Sequence, residues 1–223
     1  MSTVLEMRDV HRGYGSGPTR VIALDGVDLT VAAGEFVAVM GPSGSGKSTL
    51  LNMAGGLDHP TSGEVLVDGT DLALLDPAGL AAVRRRSIGF VFQEFNLVPS
   101  LSVAENIFLG DKTGRGVLVD TKVMVQRAKA VFQQFNIDID PYALVRDLPS
   151  AQQQIVEIAK AVSKHVKILI MDEPTAPLTV TEVESMFEIV RRLKAKGVTV
   201  LYISHRLEEI FRISDRVSVL RDG

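Results

Sequence analysis

The sequence predicts an α/β chain with a mixed or parallel sheet, an antiparallel β subdomain at the N-terminal end and an inserted α-helical subdomain. Three observations carry this. Short continuous apolar runs such as "EFVAVM" and "KILIM" read as strands buried on both faces, the kind found in parallel sheets. Strand patterns alternate with helical ones, which argues for helical crossovers between parallel strands. From about Pro99 to Lys164 the pattern turns helical, so that stretch reads as an insertion.

Taken in order, "VLEMRDV" (4–10) and "VIALDGVDLTV" (21–31) alternate and read as strands joined by the loop "HRGYGSGPTR". "EFVAVM" is a buried strand that runs into "GPSGSGKST" and then a helix, "TLLNMAGGL". "GEVLVDG" and "SIGFVF" are further strands. In the helical stretch, "TKVMVQRAKAVFQQF" is amphipathic. "KILIM" returns to a buried strand, and "TEVESMFEIVRRLKAKG" reads as a helix stopped by Gly197. The strand "VTVLYIS", the helix "RLEEIFRI" and the strand "RVSVL" follow. No internal repeat, low-complexity tract or linker interrupts the chain, which reads as a single domain over 1–223.

Composition narrows the function. The 223 residues are 46% hydrophobic and 23% charged, with net charge −3, enough for a sizeable core. There is no concentrated basic face to attract nucleic acid, and the run Arg84-Arg85-Arg86 reads as a solvated face. The absence of cysteine excludes a disulfide frame, a thiol nucleophile and Cys-ligated zinc, and suits the cytosol. The N-terminal "MSTVLEMRDV" lacks a signal peptide's apolar core, and no apolar run approaches the roughly 18 residues that span a bilayer. Any link to a membrane is therefore expected through a partner.

The segment "GPSGSGKST" (Gly41, Pro42, Ser43, Gly44, Ser45, Gly46, Lys47, Ser48, Thr49) fits G-x-x-x-x-G-K-[ST] between a strand and a helix. Glycines let backbone N–H groups curl around a phosphate chain, and the helix beginning near Lys47 aims its positive end at it. Lys47 can reach the β- and γ-phosphates, and the Ser48 hydroxyl can ligate Mg²⁺. A Gly/Ser-rich turn matching by chance would lack this strand-before, helix-after context. In "ILIMDEP" an apolar strand ends in two acids: Asp172, suited to hold Mg²⁺, and Glu173, suited to polarise an attacking water. The chemistry is that of a P-loop NTPase core, and the missing N-K-x-D motif disfavours GTP.

With these motifs and "AQQQIVEIAKA" placed, the chain resembles the nucleotide-binding subunits of ABC transporters along nearly its whole length. The resemblance implies ATP and Mg²⁺ as ligands, and a core of about 1–93 and 166–223 around a helical subdomain of about 94–165. It further implies transmembrane permease partners at the inner, cytoplasmic face of the membrane, and a head-to-tail homodimer that closes on ATP. By the same resemblance Gln93 in "FVFQEFNLVP" would contact Mg²⁺ and water and face the permease. His205 in "YISHRLEEI" would stand near the γ-phosphate, and Tyr14 in "RGYGSG" would stack on adenine. His11, His59 and His165 match nothing and read as surface residues.

The family's L-S-G-G-Q signature, which faces the partner's nucleotide, falls here on Leu148, Pro149, Ser150, Ala151 and Gln152. Pro149 stands where the family has a serine that donates to the γ-phosphate; proline has neither hydroxyl nor N–H. Ala151 replaces a glycine, Ser150 sits one position late, and Pro177 departs from the pattern beside the same interface. These departures imply intact binding with weakened hydrolysis.

The resemblance is uneven. Up to about Gln93 the chain looks like lipoprotein-releasing and macrolide-exporting ATPases; from "NLVPSLSVAENIFLG" onward it looks like ribose- and galactose-type sugar importers. One reading is a natural or engineered mosaic joined between about Gln93 and Asn106; the other is one divergent lineage. Three functions follow. The chain is a transport ATPase subunit, a mosaic that binds nucleotide without a transport role, or a soluble ABC protein acting on ribosomes or DNA. The last class usually has paired cassettes and basic arms.

Overall fold

A computed structural model describes residues 2–93, 95–110 and 120–221, and all structural statements concern these. Two sheets organise the chain. The first is antiparallel, of order β2-β1-β4-β5, from β1 (Thr3–Tyr14), β2 (Val21–Ala32), β4 (Ser62–Val67) and β5 (Thr70–Asp71). The second is all-parallel, of order β6-β7-β8-β3-β9, from β3 (Phe36–Met40), β6 (Ile88–Val91), β7 (Ile168–Asp172), β8 (Thr199–Ile203) and β9 (Arg216–Val219).

The apolar patterning explains the layering. The interior strands β3, β7 and β8 have both faces covered, which is why they read as unbroken apolar runs. Alternate residues face opposite ways. Val37, Val39, Ile168, Ile170, Leu201 and Ile203 meet α1 (Lys47–Ala54) and the buried face of the antiparallel sheet. Ala38, Leu169, Met171, Val200 and Tyr202 meet α6 (Val180–Ala195) and α7 (Leu207–Ile213). The parallel sheet is thus the central layer, and its strand ends present loops to one edge.

A third apolar cluster joins α3 (Val103–Ile107), α4 (Thr121–Phe135) and α5 (Ser150–Val162) through Ile107, Met124, Phe132, Val156 and Ala159. The same α5 turns Ile158 and Ala161 toward the parallel sheet. One helix thereby ties the helical unit to the core. Capping boxes start α3 (Ser102 with Glu105) and α6 (Thr179 with Glu182), and Gly197, at φ +85°, follows the end of α6.

Four expectations need correction. β1 runs on through Tyr14, so the first connection is shorter than the predicted loop, because His11 to Tyr14 still pair along the sheet. A helix, α2 (Pro77–Ser87), precedes "IGFV"; Asp76 caps it by accepting from the Gly79 amide at 2.7 Å, with Pro77 in the first turn. Arg84 closes α2 half-buried and donates to the Gly56 carbonyl at 2.6 Å, so only Arg85 and Arg86 form the solvated face. Among the unmatched histidines, His59 and His165 are exposed; His11 is half-buried, its ring between Asp25 (3.0 Å) and Asp9 (3.1 Å).

An acid-sensitive clasp joins the two sheets. Glu35 accepts from the Ala32 amide and from Arg216 Nε, both at 2.8 Å. Burial pushes its carboxyl up, but Arg216 and the backbone donor outweigh this and hold it below the ordinary glutamate value. A folded-state pKa below the unfolded one contributes stability above the unfolded value, about 4.3, and that contribution is lost as pH falls through the folded value. Glu35→Gln should therefore lower the urea midpoint at neutral pH, and the two midpoints should converge as acid titrates the carboxyl below the ordinary glutamate range.

Candidate nucleotide-binding site

The loop after β3 owes its shape to glycine. A Cβ on Gly41 would lie 2.1 Å from the Leu220 carbonyl oxygen, and one on Gly46 would lie 2.2 Å from that of Ala23. No larger residue fits either place. Gly46, at φ +94°, is also the N-cap of α1 and supplies no side-chain cap. The first-turn N–H groups of α1 are left for a ligand, at the positive end of the helix dipole. Lys47 Nζ donates to the carbonyls of Gly41 (2.9 Å) and Pro42 (2.8 Å), which holds the ammonium at the mouth of the loop.

Opposite the loop, β7 ends at Asp172. A cavity of about 300 Å³ lies between, lined by Ser43, Gly44, Gly46, Lys47, Ser48 and Thr49 on one side and by Asp172 and Glu173 on the other. Burial pushes the Asp172 carboxyl up, the Glu173 charge adds to this, and Lys47 opposes it. The Ser48 hydroxyl and the Asp172 carboxylate are hard oxygen donors lining one cavity, the donor chemistry that suits Mg²⁺.

Glu173 is held in the left-handed region at φ +44°, its amide donating to the Ile203 carbonyl at 3.0 Å. A non-glycine residue there is strained, and persists because its surroundings fix it. Its carboxylate meets His205, with Oε2 3.2 Å from Nδ1. Glu173 lines the cavity at the end of β7; His205, in the loop after β8, does not line it, and stands exposed beside Glu173 along a second cavity with Leu178, Val180 and Glu209.

Other predicted residues stand apart. Tyr14 does not line the cavity; its hydroxyl donates to Asp58 at 3.0 Å and the Arg12 guanidinium lies 4.6 Å from its ring centre. Its strand neighbours Val21 and Ile22, 63% and 55% exposed, form the cavity's apolar wall with Ala23. Sequence reasoning missed these three; the signal was two adjacent large apolar residues at a strand start, where alternation must leave one outside. Gln93 is exposed just beyond β6 and does not line the cavity. Ser150 and Gln152 lie in the first turn of α5, exposed and half-buried, away from the cavity of their own chain. Pro149 is the N-cap of α5 at φ −59° with no side-chain cap, and its carbonyl accepts the helix's first bond, from the Gln153 amide, at 3.0 Å.

Comparison with known proteins agrees with this geometry. Residues 24–176 match the family model described as ABC transporter. The chain is 44% identical over all 223 residues to the ribose import ATP-binding protein RbsA 3 of Rubrobacter xylanophilus, covering 44% of that protein. It is 46% identical over 221 residues, 99% of its length, to the ribose import ATP-binding protein RbsA of Ruegeria sp., covering 42% of it. The chain therefore spans less than half the length of the curated relatives it matches. Among solved structures it resembles the dimeric ATP-binding cassette MJ0796 bound to ADP and Pi (TM-score 0.85, 36% identity, 98% of this chain and 95% of that one). It also resembles cbiO1 from Clostridium perfringens, described as part of an ABC transporter complex (TM-score 0.87, 26% identity, 100% of this chain and 86% of that one). The chain belongs to the ABC transporter family and is one of its ATP-binding domains.

Proposed function

We propose that this chain binds MgATP in the cavity between the Gly41–Thr49 loop and the end of β7 and hydrolyses it to drive import of ribose or a related sugar. The observation that carries this is the meeting of Lys47 and Ser48 with Asp172 and Glu173 in one cavity, with Glu173 in contact with His205. The loop amides and Lys47 bind and orient the phosphates. Ser48 and Asp172, with Gln93 brought in from the loop after β6, would hold Mg²⁺. When bound, the ion neutralises charge on the phosphate oxygens. Glu173 orients the attacking water, and His205 fixes the Glu173 carboxylate and faces the γ-phosphate. The apolar wall of Val21 and Ile22 offers the adenine a surface, with Tyr14 at its margin. The test is phosphate release by the purified chain with ATP and Mg²⁺, which chelation of the metal should abolish.

The proposed partners are membrane permease subunits and a second copy of the chain. Among the described residues no helix is long and apolar enough to cross a membrane, so transport would need a spanning partner, which would hold this chain at the cytoplasmic face. Ser150 and Gln152 lie outside their own cavity, which supports a role across a dimer closed on ATP. The dimeric form of the solved relative bound to ADP and Pi supports the same reading. We take the chain as a single domain, with the α3–α5 cluster supporting a helical subdomain of about 94–165. Identity to a ribose importer over all 223 residues supports one lineage over a mosaic joined near Gln93 to Asn106.

Turnover is proposed to be slow. Pro149 offers no hydroxyl where a donor across the dimer would stand, and its N-cap geometry leaves the fold undisturbed. Losing one well-placed donor to transferring charge costs about 3 kcal/mol, roughly a hundredfold in rate. Pro149→Ser, alone or with Ala151→Gly, should raise ATPase activity about ten- to a hundredfold at saturating ATP while Tm changes little. Equal rates before and after would place the limit elsewhere, with Pro177 the next suspect.

A further inference from the structure

We propose that Glu209 is a positioning residue for hydrolysis, one carboxylate that anchors both chain segments carrying the Glu173–His205 pair. Glu209 sits in the first turn of α7, nine-tenths buried. Its Oε2 accepts three hydroxyl hydrogen bonds, from Thr175 Oγ1 (2.8 Å), Tyr202 OH (2.7 Å) and Ser204 Oγ (3.0 Å). Its Oε1 accepts from Arg206 at 3.1 Å. Thr175 lies two residues after Glu173, and Ser204 directly precedes His205. The Ser204 hydroxyl also accepts from the Arg206 amide at 3.0 Å, which fixes the turn at His205 from its other side.

A carboxylate is an acceptor only, so every donor around it must point inward. Burial, with the Glu209 charge beside it, pushes the Tyr202 phenol well above its ordinary value, so it stays a donor. Charge-assisted hydrogen bonds of this kind are about twice as strong as neutral ones. The left-handed backbone of Glu173 needs rigid surroundings to persist, and the Thr175 anchor supplies them two residues downstream. Glu209 does not line the nucleotide cavity, so its effect on chemistry runs through the two segments it holds.

This rests on the ATPase reading, and the experiment separates the two. ATPase rates are measured against ATP concentration for the wild-type chain, Glu209→Gln and Glu173→Gln. The expected result is a fall in kcat of about a hundredfold for Glu209→Gln, with KM for ATP within about twofold, as a misplaced catalytic group lowers rate without loosening substrate. The His205 ring resonances, assigned among four histidines, should shift in the same variant. An unchanged kcat, or a kcat loss matched by an equal loss of ATP affinity, would overturn the proposal. Should Glu209→Gln fail to fold, Thr175→Val and Ser204→Ala each remove one donor, and each should lower kcat several-fold at constant KM. Unchanged kcat in both overturns it as well. If the wild-type chain releases no phosphate from ATP, the ATPase reading itself falls; if Glu173→Gln keeps full activity, the role given to Glu173 falls and the Glu209 inference with it; if only Glu173→Gln is inactive, the Glu209 inference alone falls.

Discussion

Glu173→Gln is expected to bind ATP normally and to hydrolyse it about a thousandfold more slowly, the middle of the range for losing one acid–base group. That is about 4 kcal/mol of barrier. The exchange keeps the side chain's size and a hydrogen-bonding oxygen toward His205 Nδ1, so the 3.2 Å contact has a substitute. The backbone at φ +44° is equally strained for either residue, and its anchor, the amide bond to Ile203, does not involve the side chain. Only the charge that polarises water is removed. Single-turnover assays with radiolabelled ATP check this: bound label should remain ATP over many wild-type turnover times. Turnover at the wild-type rate would mean that another group orients the water.

Lys47→Ala should weaken MgATP binding by about a hundredfold or more, since charge-assisted bonds to phosphate are worth about 1.5–3 kcal/mol each. Without nucleotide the ammonium rests on the Gly41 and Pro42 carbonyls, at the rim of the cavity where water can replace it. The fold should therefore tolerate the loss, with Tm nearly unchanged, and calorimetric titration isolates the effect on binding. Wild-type affinity in this variant would show that nucleotide, if bound, sits elsewhere.

Much of the central layer was legible because its strands are covered on both faces: "EFVAVM", "KILIM" and "VTVLYIS" had no alternation to confuse them. The nucleotide site was legible for a different reason, since close backbone approach at Gly41 and Gly46 admits only glycine. α2 escaped notice because only Leu80 and Val83 of its apolar side chains are buried, too few for a clear helical period, though Asp76 and Pro77 signalled its start. The antiparallel sheet was legible in outline, but the run of β1 through Tyr14 depends on cross-strand pairing that local pattern does not encode. Contacts between segments far apart in sequence were out of reach: Thr175 on Glu209 and Arg216 on Glu35.

The most direct test of the account is a titration of the Glu173→Gln chain with radiolabelled MgATP, repeated on the Glu173→Gln, Lys47→Ala double variant. The account predicts saturable binding of one unhydrolysed ATP per chain in the first, and loss of that binding in the second. No saturable binding in the first, or equal binding in both, would contradict the assignment of the Gly41–Thr49 loop and the end of β7 as the ATP site.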